Sequence, residues 1–181
     1  MRTLLILVIA ALVISGCGST GEETMKTSAK HTIVSLDTTM GEIQIELFDD
    51  TMPITAGNFK KLAGEGFYDS VIFHRVIPNF MIQGGDPTGT GMGGPGYKIK
   101  DEFTSSNKNN RGTISMANSG PNTGGSQFFI NTVNNNFLDT KHPVFGKVIK
   151  GMDIVDAISN VKRDSSDKPL TDVTIKKATV K

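Results

Sequence analysis

Short β-favouring runs recur at close spacing along this chain, separated by turns rich in glycine, asparagine and proline, with no βαβ rhythm. The first pair alternates strictly. Ile33, Val34 and Leu36 lead to a turn at Thr39-Met40-Gly41, and Glu42-Ile43-Gln44-Ile45-Glu46-Leu47 follows with period two, the pattern of a hairpin with one buried face. Further runs at Val71 to Ile77, Gly112 to Asn118, Ser126 to Asn131, Val144 to Ile149 and Val173 to Val180 continue the series, and Lys98 to Phe103 adds a short strand. Such a series predicts an antiparallel barrel.

Two segments carry helical spacing instead. Ala56, Phe59, Leu62 and Ala63 follow Asp49-Asp50-Thr51 and Pro53, which predicts a side-chain cap and a proline in the first turn, with Gly64 and Gly66 ending the helix. Gly151 to Ile158 forms a second helix with Ile154, Val155 and Ile158 inward.

Before residue 32 the chain is of another kind. Arg2 precedes an aliphatic run from Leu4 to Ile14, too short to span a bilayer comfortably but suited to the apolar region of an export signal. Its end, Ile14-Ser15-Gly16-Cys17, resembles the lipobox of prokaryotic lipoproteins, in which the cysteine is lipidated. Cys17 is the only cysteine of the 181 residues. Residues 1–17 are therefore expected to be a lipoprotein-type signal peptide, 18–31 a flexible linker reaching about 20 Å, and 32–181 one folded domain. The expected location is extracytoplasmic, lipid-anchored at the cell membrane; a secreted or periplasmic protein is the alternative.

With Arg2 removed, basic and acidic residues balance at 18 each, which leaves no electrostatic footprint for nucleic acid. One cysteine and three scattered histidines (His31, His74, His142) offer no metal-ligand spacing. Gly89-Thr90-Gly91-Met92-Gly93-Gly94 matches G-x-G-x-x-G in letters only, because Pro95-Gly96 follows where a helix must open. An irregular loop allowing close backbone approach fits better.

The stretch Phe73 to Asp86 mixes an apolar run with one cation, Arg75, and one amide, Gln83. By itself it suits a pocket-lining strand or a half-buried strand whose arginine points to water. Other segments decide. Phe73-His74-Arg75-Val76-Ile77-Pro78, Phe80-Met81-Ile82-Gln83-Gly84-Gly85-Asp86, Ser115-Met116-Ala117-Asn118, Gly120-Pro121-Asn122-Thr123, Gly125-Ser126-Gln127-Phe128-Phe129-Ile130 and His142-Pro143-Val144-Phe145-Gly146, in this order, resemble the cyclophilins from about Ile33 to Val180. The resemblance implies a closed eight-stranded antiparallel β-barrel capped by two α-helices, and peptidyl-prolyl cis-trans isomerase activity. It makes Arg75 the catalytic cation. Phe80, Met81, Phe129 and Leu138 would line the proline pocket, with His142 at its rim. Gln83, Asn118 and His74 would meet the peptide backbone or Arg75, while Ala117, Gln127 and Gly91 border the groove. Phe137 stands where many eukaryotic members carry tryptophan, a departure that bears on cyclosporin binding rather than on the reaction. Partners would be proline-containing polypeptides, the membrane would be met through the lipid anchor alone, and the protein would be a monomer without metal or cofactor.

The implied reaction breaks no bond. An amide C–N bond resists rotation by about 18–20 kcal/mol because it is partly double, and X-Pro bonds exchange in tens to hundreds of seconds. Millisecond turnover requires roughly 7 kcal/mol off that barrier, gained by binding the twisted amide better than either planar form. A guanidinium can donate to the proline nitrogen as its lone pair returns, for about 1.5–3 kcal/mol. An apolar cup must contribute the remainder through orientation and desolvation. Two other readings are a proline-peptide binding module or chaperone with little turnover, and a hydrolase using His74 or His142 as base. Against the hydrolase, Ser126 lacks the G-x-S-x-G context.

Overall fold

The computed structural model describes residues 31–181; the expected signal segment, Cys17 and the expected linker up to residue 30 lie outside the described residues. His31, the last residue of the expected linker, is held by Glu46 at 2.8 Å and Asp50 at 3.3 Å. Among the described residues no helix is long and apolar enough to cross a membrane.

Nine strands form one antiparallel sheet: β1 (Ile33–Thr38), β2 (Gly41–Leu47), β3 (Val71–Ile72), β4 (Arg75–Ile77), β5 (Met81–Gly84), β6 (Thr113–Met116), β7 (Phe128–Asn131), β8 (Val144–Lys150) and β9 (Thr174–Val180), in the order β3-β9-β1-β2-β8-β6-β7-β5-β4. The expected closed eight-stranded barrel is corrected. The sheet is an open, curled half-barrel whose edges stand 9 Å apart. The physical reason lies in the run Val71 to Ile77, which reads as one strand and folds as two. Phe73 and His74 carry the chain from one edge strand, β3, to the other, β4, so the two edges are joined covalently rather than by a ladder. Their free N–H groups go elsewhere: Phe73 N–H donates to the Val173 carbonyl at 2.9 Å and Val76 N–H to the Asp167 carbonyl at 2.8 Å. Lys98 to Phe103 likewise makes only a bridge, Ile99 to Gly124, in place of a strand.

The β1–β2 hairpin pairs as its alternation predicts, with Leu36 opposite Ile43 and Val34 opposite Ile45, all fully buried. Helix α1 (Pro53–Gly64) buries Ala56, Phe59, Leu62 and Ala63, and Pro53 occupies its first turn. The expected side-chain cap does not form. Asp49 instead accepts the Thr32 N–H at 2.7 Å, and the Thr55 N–H in the first turn donates to Glu102, 47 residues away, at 2.6 Å. Helix α2 (Met152–Ser159) buries Val155 and Ile158 while Ile154 stays partly exposed. The core centres on Phe59, whose ring meets Tyr68 at 5.0 Å and Phe128 and Phe145 at 5.3 Å each.

Alternation across β4, β5, β7 and β6 places the site. Val76, Ile82, Ile130 and Ile114 pair in one row and are fully buried on the inner face. One residue along, the row Arg75, Gln83, Phe129 and Ser115 lies on the opposite, outer face.

Candidate active site

Because period two sends neighbours to opposite faces, Arg75 emerges on the outside of the half-barrel with its side chain 44% exposed. Next along its row, Gln83 donates through Nε2 to Gln127 Oε1 at 3.0 Å. Gln127 Nε2 donates to the carbonyls of Gly91 at 3.0 Å and Gly93 at 2.9 Å. Two carbonyl partners fix the orientation of the Gln127 amide, since only NH₂ can serve both. Its oxygen then faces Gln83, which must present its own NH₂ there and leaves its carbonyl oxygen on the other side.

The glycine loop is held from below by Asp86. This fully buried carboxylate accepts N–H donors from Thr88 at 2.7 Å, Thr90 at 3.1 Å, Gly91 at 2.6 Å and Gly93 at 3.0 Å, and the Thr88 hydroxyl at 2.8 Å. Burial raises its pKa, but the donors from Thr88, Gly93 and Gly91 together outweigh burial and hold it well below the usual carboxylate range. Gly93 has no alternative here, because a Cβ would collide with the Asp86 carboxylate. The loop walls a groove of about 810 Å³ that also meets Gln83, Ala117, Asn118, Thr123 and Gln127. Met92, at the loop tip, is 90% exposed.

Two ring pairs fall among the residues expected to meet the substrate. Phe129 and His142 meet edge to face at 5.3 Å, and Phe80 stacks on the exposed ring of Phe137 at 6.0 Å. Phe80, Leu138 and His142 keep part of their surface open, while Phe129 and Met81 are buried. His142 Nδ1 lies 3.0 Å from the Met116 carbonyl, so that nitrogen carries the proton and donates. Asn118 spends its amide on the Lys141 carbonyl at 2.8 Å, which ties the chain after β6 to the chain before β8.

His74 was expected to meet the peptide backbone or Arg75. It is buried, its ring packs behind the loop so that a Cβ on Gly91 would lie 3.6 Å from it, and neither ring nitrogen finds a partner among the described residues. Burial, then the nearby cations Arg75 and Lys168, lower its pKa against the pull of Asp86, which keeps the ring neutral at pH 7. Ser126, the other member of a hydrolase reading, is buried and donates its hydroxyl to the Gly85 carbonyl at 2.6 Å. Among the described residues no cluster of three His, Cys, Asp or Glu side chains gathers to hold a metal.

Sequence reasoning missed the buried asparagines behind Phe80 and His142. Asn107 and Asn109 sit in what reads as a polar loop, yet both are buried. Asn107 Nδ2 donates to the Asp139 carbonyl at 2.6 Å and the His142 carbonyl at 3.2 Å, while its oxygen accepts the Val144 N–H at 2.7 Å. Asn135 Nδ2 donates to the Phe80 carbonyl at 2.8 Å and to Asn131 Oδ1 at 2.8 Å. Their density was the available signal, since four short amides in one region can satisfy irregular backbone as well as water. The Asp86 cage was missed as well, although Asp-Pro-Thr carries the spacing of an Asx turn.

An outward-facing arginine in register with a groove-lining glutamine suits contact with an extended peptide, and three comparisons identify the family. The family model for cyclophilin type peptidyl-prolyl cis-trans isomerases matches residues 33–180. The peptidyl-prolyl cis-trans isomerase-like 1 of Emericella nidulans is 50% identical over 153 residues, covering 82% of this chain and 94% of that protein. The isomerase ppi1 of Schizosaccharomyces pombe is 50% identical over 149 residues, covering 80% and 96%. A crystal structure of a cyclophilin type isomerase from Cryptosporidium parvum superposes with a TM-score of 0.81 at 39% identity, over 83% of this chain and 98% of that one. The same relative has been solved in the presence of the dipeptide Ala-Pro, with a TM-score of 0.79 to this chain. With the matched segment spanning the whole curled sheet and both helices, the chain belongs to the cyclophilin family and is a peptidyl-prolyl cis-trans isomerase.

Proposed function

We propose that Arg75 is the catalytic donor of this isomerase, that Phe80, Met81, Phe129, Leu138 and His142 seat the substrate proline ring, and that the clients are exported or membrane-proximal proteins. The observation that carries the site assignment is the register of β4 on β5, which sets Arg75 opposite Gln83 on the outer face. The Ala-Pro dipeptide used with the Cryptosporidium relative supports an X-Pro substrate. A substrate chain lies along Ala117 and Asn118, its proline enters the cup, and Arg75 donates to the proline nitrogen as the amide twists. The cup restrains the ring and strips water that favours the planar, more polar amide.

The export reading rests on the sequence of residues 1–17, where an apolar run ends in Ser15-Gly16-Cys17. A monomer lipidated on Cys17 is held at the membrane, and the linker lets the isomerase reach chains emerging there; two or more acyl chains suffice for stable anchoring. The mass of the mature N-terminus from a membrane fraction tests this. A diacylated or triacylated Cys17 is expected, and an unmodified Met1 would refute it.

A further inference from the structure

The turn that follows α2 comes back to the catalytic strand. Asp164 organises it, accepting the N–H of Ser166 at 2.8 Å and of Lys168 at 3.0 Å, and Asp167 sits in it with φ 64. Left-handed backbone is tolerated by Asp, Asn and Gly and strained for most other residues, so this position is specified rather than incidental. Asp167 then makes three connections. Its carbonyl accepts the Val76 N–H at 2.8 Å, one residue from Arg75. Its Oδ1 accepts from Arg163 Nε at 3.1 Å. Its Oδ2 lies 3.9 Å from Arg75 Nε.

That last distance is the informative one. At 3.9 Å there is charge attraction but no hydrogen bond, so Asp167 consumes none of the five N–H donors of Arg75. A long, half-exposed arginine on an edge strand otherwise samples many rotamers, and ordering it at each turnover costs entropy. A fixed carboxylate on the Nε side biases the side chain before substrate arrives.

We propose that Asp167 is a positioning residue for Arg75. Clamped by Arg163 and set by the turn backbone, its carboxylate holds the guanidinium at the edge of β4 with all donors available to the groove beside Gln83. This rests on the reading of Arg75 as the catalytic donor.

The test compares Asp167→Asn, Asp167→Gly and Arg75→Ala in the whole protein, with kcat and KM for a short X-Pro peptide and the Arg75 Nε–H signal by NMR. Asn keeps the left-handed backbone and the shape but loses the charge; Gly keeps the backbone and loses the side chain. Both are expected to lower kcat about fivefold, the size of a water-screened attraction at this distance, with KM and thermal midpoint unchanged. The deficit of each variant narrows at high salt because wild type loses its advantage. The Arg75 Nε–H resonance becomes more mobile in both, independently of catalysis. An Asp167→Asn enzyme with unchanged or raised kcat, beside an impaired Arg75→Ala, overturns the positioning role. A fully active, folded Arg75→Ala overturns the catalytic reading instead.

Discussion

Arg75 and Gln83 are Cα partners across the β4–β5 ladder, and Gln83 in turn holds Gln127 at 3.0 Å, so the proposed donor and the groove wall are linked through one register. Arg75→Ala removes one charge-assisted bond to the twisted amide, worth about 1.5–3 kcal/mol. The expected loss in kcat/KM is about 10- to 150-fold, with the melting midpoint within about 1 °C of wild type because a surface ion pair contributes little to folding. Peptide isomerisation assays with a parallel thermal melt check both halves.

Gln83→Leu removes the end of the amide chain nearest Arg75 in the sheet. Gln127 keeps its two glycine carbonyls, so the loop survives while the acceptor beside Arg75 disappears. Turnover is expected to fall several-fold with little change in stability, as read by kcat and KM for the same peptide.

Gly93→Ala drives a methyl group into the Asp86 carboxylate and dislodges the loop from its cage. Burial against unpaired donors costs about 1–3 kcal/mol. Faster amide exchange at Gly91 and Gly93, with a raised KM for peptides extended before the proline, is the expected outcome. The depressed pKa of Asp86 sets its pH behaviour: its stabilisation is present above the ordinary carboxylate range and is lost only in strong acid, as pH falls through the folded value. Acid titration followed by the Thr88 to Gly93 amide signals should show no transition at mild acidity.

Phe59→Ala empties the centre of the aromatic cluster formed with Tyr68, Phe128 and Phe145. A loss of about 3–5 kcal/mol is expected, measured by chemical denaturation. Activity per folded molecule should change far less, since the outer face does not contain the ring.

His31 is bound to Glu46 and Asp50, and the hydrogen bond to Glu46 raises its pKa above the ordinary 6.5 against some desolvation. A raised folded value means the contribution is complete below the unfolded pKa and disappears as pH rises through the folded one. Wild type should therefore lose a small part of its stability from near-neutral to alkaline pH, and His31→Gln should lose less over the same range. Denaturation midpoints at several pH values compare the two.

The hairpin, both helices and the family motifs were legible because their information is local. Alternation in Glu42 to Leu47 and the spacing of Ala56, Phe59, Leu62 and Ala63 depend only on which face each residue presents. His74 and the asparagines were not legible, since polarity does not distinguish a side chain in water from one buried against backbone. Asn107 and His74 are both buried, the first satisfied by three backbone groups and the second by none among the described residues.

The sequence by itself determined an antiparallel β protein, its two helices and the Phe73 to Asp86 motif that carries the family resemblance. Tertiary structure decided that the sheet stays open, because Phe73 and His74 bridge its edges, and that Arg75 faces outward beside a groove whose wall hangs on a buried Asp86. It also brought Asp167 to Arg75 across 92 residues of chain. Strand register and loop closure depend on which distant backbone groups pair, and local propensity holds no record of that choice.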